Sequence, residues 1–255
     1  MIIVPITKLE NTGIVRTVAT GKLSGNDCNW KENEEGAMEN RKELCNAFGI
    51  ELKDMVFAHN VHSNRVFAAR RSGGEVVIEG DVEPGFDGLV TNEKGVLLCT
   101  LEADCVPVYI LDPVKKVIGM VHSGWRGTAS LISVNAVKLM HEKYDSDYKD
   151  IMVAIGPCIC KDCYEVGEDL KEEFSKTYDE ATLTNIFREE FKNGKRVAGK
   201  YLLDLPLAIR TTLIKEGLDD KNIFDPEYCT FHETKFSSYR REKEKAGRIL
   251  TGIIL

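Results

Sequence analysis

The N-terminal part of the chain alternates short apolar runs with polar segments, a pattern that predicts several short β-strands. A helix is predicted only at Glu34–Phe48, where apolar residues recur every three or four positions before Gly49. The predicted strands of this part are Ile14–Ala19, Met55–Ala58, Arg65–Ala69 and Val76–Ile78.

The centre of the chain carries its most apolar segments. Three runs follow one another closely, at Val96–Leu101, Val106–Leu111 and Val117–Val121. Their near-continuous apolar character predicts strands that are buried on both faces. A helix is predicted to begin near Thr128, because apolar residues recur at helical spacing after that position. These residues are Leu131, Val134, Val137 and Met140.

The C-terminal part is predicted to mix helices and strands. The predicted elements are a strand at Ile151–Ile155, helices at Val166–Tyr178 and Leu205–Glu216, and a strand at residues 249–255. The charged stretch Lys171–Lys200 is predicted to be a solvated helical region. We find no internal repeat and no low-complexity linker. The sequence therefore predicts one α/β (α+β) domain over residues 1–255, a mixed-sheet sandwich with flanking helices.

Charge and composition narrow the function classes. The 255 residues have a formal net charge of −7, from 34 Lys and Arg against 41 Asp and Glu. This acidic balance argues against general binding to nucleic acids or anionic membranes. The N-terminal sequence has no signal-peptide pattern, and no apolar run approaches the ~20 residues that a membrane span requires. We therefore expect a cytoplasmic protein whose eight cysteines are reduced, each one a packing residue, a ligand or a nucleophile.

Three short segments place chemically capable side chains at the ends of predicted strands. They are H-N-V-H-S (His59–Ser63), E-A-D-C-V-P (Glu102–Pro107) and H-S-G-W-R-G (His122–Gly127). Imidazole and thiolate are good zinc ligands, and three protein ligands with one open position are typical of a catalytic zinc site. His62, Cys105 and His122 would supply such a set.

Spacing alone does not establish this site, because its ligands match no compact metal motif. An isolated histidine usually has a structural role, which is the interpretation that we favour for His141 and His232. For His59, a structural role and a contact to a metal ligand are equally open. Asp104 could hold a ligand in place or cap a turn.

A second cysteine-rich segment, C-I-C-K-D-C, contains Cys158, Cys160 and Cys163. Three thiols so close together could bind a metal, but no fourth ligand lies nearby in the sequence. We therefore interpret the segment as packing residues with one exposed thiol, and we expect it to be dispensable for chemistry.

Short motifs follow one another in order along nearly the whole chain. They are Val61–Ser63, Asp87–Thr91, Ala103–Pro107, His122–Gly127, Ile155–Ile159, Cys163–Gly167, Phe236–Arg241 and the pair Gly247-Arg248. Together they resemble the laccase-domain family, which carries both the multicopper polyphenol oxidoreductase and the purine nucleoside phosphorylase label. Two positions depart from the family pattern, because Asn60 replaces the glutamine usual before V-H and Ser63 replaces the usual glycine after it.

The resemblance implies a zinc ion held by His62, Cys105 and His122. It also implies a fold similar to the catalytic domain of cytotoxic necrotizing factor toxins. The implied activities are phosphorolysis of adenosine, inosine and 5'-methylthioadenosine to the free base and ribose 1-phosphate, together with adenosine deamination. The expected partners are therefore small-molecule purine nucleosides and phosphate, with no nucleic acid or membrane.

The two implied reactions require different chemistry. For deamination, zinc lowers the pKa of its bound water towards ~7 and supplies a nucleophile for C6 of adenine. A neighbouring acid must protonate the departing ammonia, and Asp104 and Glu102 are the candidates by proximity in sequence. Phosphorolysis needs a bound phosphate as its nucleophile.

The segment Gly124–Gly127 lies between a predicted strand and a predicted helix, where backbone N–H groups favour an anion. Arg126 adds a bidentate donor, so we assign it to phosphate binding. The alternative is a tight turn with Trp125 in the core and Arg126 paired to a surface carboxylate. Arg240 and Arg241 are further candidates, although paired arginines are usually solvated.

Copper chemistry, thiol–imidazole hydrolysis and a scaffold role are the alternatives to a zinc enzyme. Two histidines and a cysteine also resemble a blue-copper ligand set, so copper stays a less favoured alternative to zinc. Multicopper oxidation is excluded, because five histidines are too few for a further copper cluster. Cys105 and His122 could instead form a thiol–imidazole hydrolase. Some family members are described as editing peptidoglycan precursors in the cytoplasm, which suits either site chemistry. A scaffold role would leave the ligand set unexplained.

Overall fold

Fifteen strands and eight helices form the described part of the chain, residues 2–21 and 34–255 of a computed structural model. The strands are β1 (Ile3–Val4), β2 (Arg16–Thr20), β3 (Met55–Phe57), β4 (Val66–Ser72), β5 (Glu75–Ile78), β6 (Gly88–Thr91), β7 (Leu97–Glu102), β8 (Val106–Asp112), β9 (Val117–Ser123), β10 (Met152–Ile155), β11 (Glu165–Gly167), β12 (Phe187–Lys192), β13 (Lys195–Leu203), β14 (Ile223–Phe224) and β15 (Ile249–Ile254). The helices are α1 (Thr7–Glu10), α2 (Glu34–Phe48), α3 (Trp125–Ala129), α4 (Ile132–Tyr144), α5 (Glu168–Ser175), α6 (Glu180–Ile186), α7 (Leu205–Glu216) and α8 (Tyr239–Glu242).

The strands form three sheets. The largest has seven strands in the order β14-β10-β8-β9-β6-β4-β5, and a second has five in the order β1-β2-β15-β7-β3. Both contain parallel and antiparallel pairs, which makes them mixed sheets. A small antiparallel sheet has the order β11-β13-β12. The predicted α/β class with mixed sheets is confirmed, as is the burial of the three central strands β7, β8 and β9.

Residues of β8 show how the layers pack. Tyr109 and Leu111 share an apolar cluster with Leu98 of β7, on the side of the five-stranded sheet. Their neighbours Val108 and Ile110 belong to a different cluster, which contains apolar residues of α4. Successive side chains of a strand point to opposite faces. The seven-stranded sheet is therefore covered by the second sheet on one face and by helices on the other.

One end of the seven-stranded sheet collects the predicted site segments. Pro107 of β8 pairs with His122 of β9 in antiparallel register, so Cys105 and His122 reach the same end. Val66 of β4 pairs with Gly88 of β6 in parallel register, which brings the segments that precede both strands to this end as well. His62 lies in the segment before β4.

Several elements differ from their predictions. The stretch Lys171–Lys200 is not one helical region, because α5 and α6 are followed by the hairpin of β12 and β13. Strand β13 is exposed over most of its length, so its charged residues resemble those of a solvated helix. Likewise, Val166–Tyr178 begins in strand β11, and the helix itself spans only Glu168–Ser175.

Two helices, α3 and α4, form where a single helix beginning near Thr128 was predicted. Leu131 adopts a left-handed φ of 63°, which separates α3 from α4. Helices α2 and α7 have the predicted bounds, and Gly49 and Gly217 follow them with positive φ, as helix-ending glycines do. None of the helices in the two described ranges combines the length and the apolar character that a membrane span requires.

Candidate active site

His62, Cys105 and His122 converge at the end of the large sheet. One potential ligand atom from each lies within 4.8 Å of those of the other two. Cys105 Sγ is 4.0 Å from Nε2 of His62, and the two imidazole rings have their centroids 4.9 Å apart in an edge-to-face arrangement. His122 is buried and His62 is exposed, so the group opens to solvent on the His62 side.

Asp87 organises both histidines from behind. Its Oδ1 lies 2.8 Å from Nδ1 of His122 and also accepts the backbone N–H of His62 at 2.9 Å. Its Oδ2 accepts the backbone N–H and the hydroxyl of Ser63, each at 2.7 Å. Although complete burial opposes ionisation, these hydrogen bonds lower the pKa of Asp87 below its usual value. Asp87 begins the motif Asp87–Thr91, but hydrophobic periodicity gave no reason to select it as a site residue.

The backbone around the ligands is constrained. His62 and Asp104, which precedes Cys105, have φ values of 62° and 88°, and non-glycine residues rarely adopt such values. Gly124 lies against the same group, since a Cβ there would meet Cδ2 of His62 at 2.9 Å and Sγ of Cys105 at 3.2 Å. A side chain at this position would therefore have to displace His62 and crowd Cys105.

These features fit a bound transition metal. Two imidazoles and one thiol match the three-ligand sets of catalytic zinc sites, which keep one position open. The Asp87 carboxylate would accept the Nδ1 proton of His122, leaving Nε2 free to bind the ion, as in the carboxylate–histidine–zinc arrangement. His62, Cys105 and His122 are therefore the side chains that could hold a metal here.

Cys105 and His122 shift each other's pKa values. Burial favours the neutral thiol, but the positive charge of His122 and hydrogen bonds from both histidines lower the pKa of Cys105. Burial likewise disfavours imidazolium, yet the Cys105 thiolate and the Asp87 carboxylate raise the pKa of His122. A lowered thiol pKa favours the thiolate, which is the form that binds metals or acts as a nucleophile.

A cavity of about 390 Å³ lies in front of the three ligands. Its wall includes His62 and Cys105, but not the more deeply buried His122. Three aromatic and three basic side chains also line it, a composition suited to a flat apolar ring and an anion. These six residues are Trp125, Tyr164, Tyr239, Arg126, Arg240 and Lys243. Tyr164, Tyr239 and Lys243 were not selected from the sequence, although both tyrosines lie within the family motifs.

Arg126 lies on the cavity wall, as its assignment to anion binding requires. Its guanidinium carbon is 4.3 Å from the ring centroid of Trp125, and the side chain is exposed. Trp125, which the alternative placed in the core, is half-buried: it packs against the main apolar cluster and also lines the cavity. Helix α3 has only five residues, so the side chain contributes more to an anion site than the helix does.

The two further arginine candidates have different surroundings. Arg240 lines the cavity with its guanidinium carbon 5.2 Å from the ring centroid of Tyr164. Arg241 points elsewhere and donates to the carbonyl oxygens of Thr230 and Phe231. Arg240 thus remains a candidate for binding an anion, whereas Arg241 holds a loop together.

The two candidate acids, Asp104 and Glu102, occupy different positions. Asp104 lies on the cavity wall, but its carboxylate accepts the Thr230 hydroxyl and the backbone N–H of Arg240, both at 2.6 Å. Glu102 is fully buried and accepts the hydroxyl of Thr251 at 2.8 Å. Burial raises the pKa of Glu102 to about 7, against the opposing effect of His122. Of the two residues, only Asp104 faces the cavity.

Residues near the first histidine segment have structural contacts. The ring of His59 packs on Phe86 with a centroid distance of 4.3 Å. The side chain that contacts a ligand, His122, is that of Asp87 and not that of His59. Asn60, which replaces the family's glutamine, donates its amide to the carbonyl oxygen of Leu101 at 2.6 Å. His141 has a structural contact to the Ser146 carbonyl oxygen, as predicted.

The interpretation of the C-I-C-K-D-C segment was wrong in one respect. Cys160 and Cys163 form a compact group with Cys229 and His232, so two further potential ligands are present. Cys229 and His232 lie far from Cys160 and Cys163 in the sequence, and only the fold brings the four residues together. His232, for which a structural role was predicted, lies in this group beside Cys163. No disulfide joins any two of the seven described cysteines, and Cys28 lies outside the described residues.

Sequence comparison finds relatives that cover most of this chain. The sequence is 33% identical over 225 residues to purine nucleoside phosphorylase YlmD of Bacillus subtilis strain 168, which covers 87% of this chain and 78% of that protein. It is 32% identical over 219 residues to adenosine deaminase RL5 of an unknown prokaryotic organism, covering 85% of this chain and 80% of the relative.

Structural comparison extends over the whole chain. The crystal structure of the hypothetical protein YfiH of Bacillus licheniformis superposes with a TM-score of 0.84 at 25% sequence identity, covering 99% of this chain and 96% of that one. The family described as multi-copper polyphenol oxidoreductase laccase matches residues 17–255. By sequence, motifs and fold, this chain belongs to the multi-copper polyphenol oxidoreductase laccase family.

Proposed function

We propose that this chain is a zinc-dependent purine nucleoside enzyme with two activities. The first is phosphorolysis of adenosine, inosine and 5'-methylthioadenosine to the free base and a ribose 1-phosphate. The second is deamination of adenosine. Relatives named purine nucleoside phosphorylase and adenosine deaminase support an enzyme that acts on purine nucleosides. The observation that carries the proposal is that His62 and Cys105 share one cavity with three aromatic and three basic side chains.

Phosphorolysis needs two binding functions in this cavity. The bond between the purine nitrogen and ribose C1′ breaks, a phosphate oxygen bonds to C1′, and the base takes the electron pair and a proton. Aromatic faces of Trp125 and Tyr164 can stack on the purine. Arg126 and Arg240 can hold the phosphate through charged hydrogen bonds, which fix its orientation towards the sugar.

Deamination uses the other side of the site. Bound zinc would supply Lewis-acid chemistry, which polarises water for attack on the purine. Asp87 fixes the ring of His122, and His62 and Cys105 define the face that is open to substrate. Asp104 is the acid on the cavity wall, so we assign it to protonating the departing ammonia. Burial keeps Glu102 away from the substrate.

Purified protein loaded with zinc tests both activities at once. We expect adenine to be released from adenosine only when phosphate is present, and inosine to form from adenosine without phosphate. Both products should be measured by chromatography on one preparation. A folded, zinc-loaded preparation that forms neither product would refute the proposed function.

Editing of peptidoglycan precursors by amide hydrolysis in the cytoplasm is the second candidate. The lowered pKa of Cys105 beside the raised pKa of His122 favours it, because a thiolate next to an imidazolium is a typical nucleophilic pair. Chelation separates the candidates. A metal-free enzyme that still hydrolyses amides and loses this activity on alkylation of Cys105 would support the thiol mechanism.

The histidine positions argue against a multicopper oxidase despite the family's description. His59 packs on Phe86, His141 contacts Ser146, and His232 lies beside Cys163. Only His62 and His122 remain for the active-site group. A second, histidine-rich copper cluster cannot be assembled from these residues, so we favour zinc over copper.

A further inference from the structure

A second group of potential metal ligands lies outside the candidate active site. It consists of Cys160, Cys163, Cys229 and His232, and their ligand atoms all lie within 4.8 Å of one another. Sγ of Cys163 is 3.1 Å from Nε2 of His232. The three cysteines are half-buried and the histidine is exposed, so the group is at the surface but sheltered. We call it the Cys3His cluster.

The sequence around the Cys3His cluster has regular spacing. Cys160 and Cys163 are separated by Lys-Asp, and Cys229 and His232 are separated by Thr-Phe. Both halves therefore have two intervening residues, the spacing of ligand pairs in structural zinc sites. The halves are far apart in sequence, which is why only the fold reveals them as one group.

The backbone holds the two halves side by side. Cys158 and Cys229 form an isolated parallel β-bridge, in which the N–H of Thr230 donates to the carbonyl oxygen of Cys158 at 2.9 Å. The N–H of Cys160 donates to Sγ of Cys229 at 3.3 Å. Hydrogen bonds from backbone amides to sulfur stabilise a thiolate ligand, as neighbours of a metal's ligands commonly do.

We propose that Cys160, Cys163, Cys229 and His232 bind one zinc ion as a structural centre, separate from the His62–Cys105–His122 group. Three thiolates and one imidazole are a known zinc ligand set, and four protein ligands leave no position for substrate. Zinc–sulfur bonds of about 2.3 Å place the sulfurs of a tetrahedral site about 3.8 Å apart. Because all four ligand atoms already lie within 4.8 Å of one another, changes of about 1 Å or less in these separations would reach that geometry.

A zinc ion here would brace one wall of the active-site cavity. Ile159 lines the cavity directly before Cys160, and its N–H donates to the carbonyl oxygen of Asp104 at 3.1 Å. Thr230, between the second pair of ligands, donates its hydroxyl to the Asp104 carboxylate. Metal binding to these loops is linked to their folding, so the ion should stabilise the wall.

A disulfide is the competing use of these thiols. Cys160 and Cys163 could be oxidised as a C-x-x-C pair, but that reaction needs an external oxidant to accept two electrons. It would also leave Cys229 and His232 without a role. Four converging side chains with reduced thiols fit a cation better than a redox pair.

Metal content in a Cys105→Ala background tests the proposal, because that substitution removes a ligand from the active-site group. The reduced protein is stripped of metal, supplied with Zn²⁺ alone and desalted, and its zinc per chain is measured. We expect one ion per chain, and a loss of nearly all of it when Cys163→Ser is added. Adding Cys158→Ala instead is the matched control, since Cys158 is a buried neighbour outside the cluster, and it should retain the ion.

Cobalt gives a readout of the ligands themselves. Co²⁺ bound in the Cys105→Ala protein should show a thiolate-to-cobalt charge-transfer band that Cys163→Ser weakens and Cys158→Ala leaves unchanged. Absence of both zinc and this band from the reduced Cys105→Ala protein would overturn the proposal. Zinc content that is unaffected by Cys163→Ser would overturn it as well.

Unaltered protein provides a test that no folding defect can obscure. We expect Zn²⁺ to protect Cys160, Cys163 and Cys229 together from alkylation, as measured by peptide mass spectrometry, with Cys158 as the internal reference. Equal alkylation of the three with and without Zn²⁺ would contradict a zinc centre. A Cys160–Cys163 disulfide in freshly purified protein would replace it with a redox pair.

Discussion

The carboxylate of Asp87 lies 2.8 Å from Nδ1 of His122, and this contact leaves Nε2 as the ring nitrogen available to a metal ion. Since Asp87 also accepts the backbone N–H of His62, one buried side chain positions two of the three proposed ligands.

Asp87→Asn should weaken zinc binding by about 10–100-fold, the usual effect of removing an outer carboxylate partner. An amide has one acceptor oxygen and cannot satisfy both His62 and Ser63 while it accepts a proton from His122. Competition with a chelator on the stripped protein measures the affinity. Asp112→Asn is the control, because Asp112 is also buried but accepts backbone N–H groups of a turn. Equal affinities in the two variants would refute the role of Asp87.

Cys105→Ala should lower the zinc content by one ion per chain and abolish both reactions. The thiolate is the anionic ligand of the proposed set, so its loss removes much of the affinity. Elemental analysis after desalting is the measurement, and Cys99→Ala, at a buried cysteine in β7, is the control. Wild-type zinc content in Cys105→Ala would instead revive the nucleophile interpretation.

Gly124→Ala should disturb the metal group with little effect on the backbone. Gly124 has a φ of −71° and ψ of 176°, which alanine adopts readily, but the new Cβ would crowd His62 and Cys105. We expect reduced zinc affinity and an almost unchanged thermal unfolding midpoint of the metal-free protein. If the midpoint falls and the affinity does not, Gly124 serves the fold rather than the site.

Arg126→Gln should weaken apparent phosphate affinity and slow adenine release, while inosine formation falls much less. Losing a charged hydrogen bond to an anion costs roughly 1.5–3 kcal/mol, or about one to two orders of magnitude in rate. Arg126→Lys should restore part of the loss, because it keeps the charge but not the planar fork. Both products are measured on one preparation with zinc content checked. Equal damage to both reactions would rule out a phosphate-specific role.

Glu102 should make the metal-free protein less stable as pH rises. Its pKa is raised to about 7 in the fold, so its contribution is fully present below the unfolded value near 4.5 and is lost as pH rises through 7. The shift corresponds to about 3 kcal/mol. Glu102→Gln should remove this dependence between pH 5 and 8 in urea unfolding. An unchanged slope in the variant would place the titration elsewhere.

Local patterns predicted the strongly periodic parts of the fold but not its long-range contacts. The apolar runs of β8 and β9 and the spacing within α2 and α7 were sufficient to identify those elements. The hairpin of β12 and β13 was missed because its exposed strands carry charged residues on both faces, without the alternation typical of a half-buried strand.

The same distinction applies to the sites. His62, Cys105 and His122 were nominated because each lies at a strand end and matches a motif, and the fold brings them together. Asp87 was missed because a carboxylate before a strand has many ordinary roles, and only the three-dimensional contacts select it. Cys229 and His232 were not assigned to a metal site for a related reason, since their partners are on another loop.

At the end of the large sheet, the proposed metal ligands and the wall of the cavity are carried largely by different elements. His122 belongs to β9 and Cys105 directly precedes β8, whereas Tyr164 lies in the segment before β11 and Tyr239 begins the short helix α8. Loops tolerate sequence change better than strands do. Substitutions on the wall can therefore change the compound that fits the cavity while the three proposed ligands keep their positions.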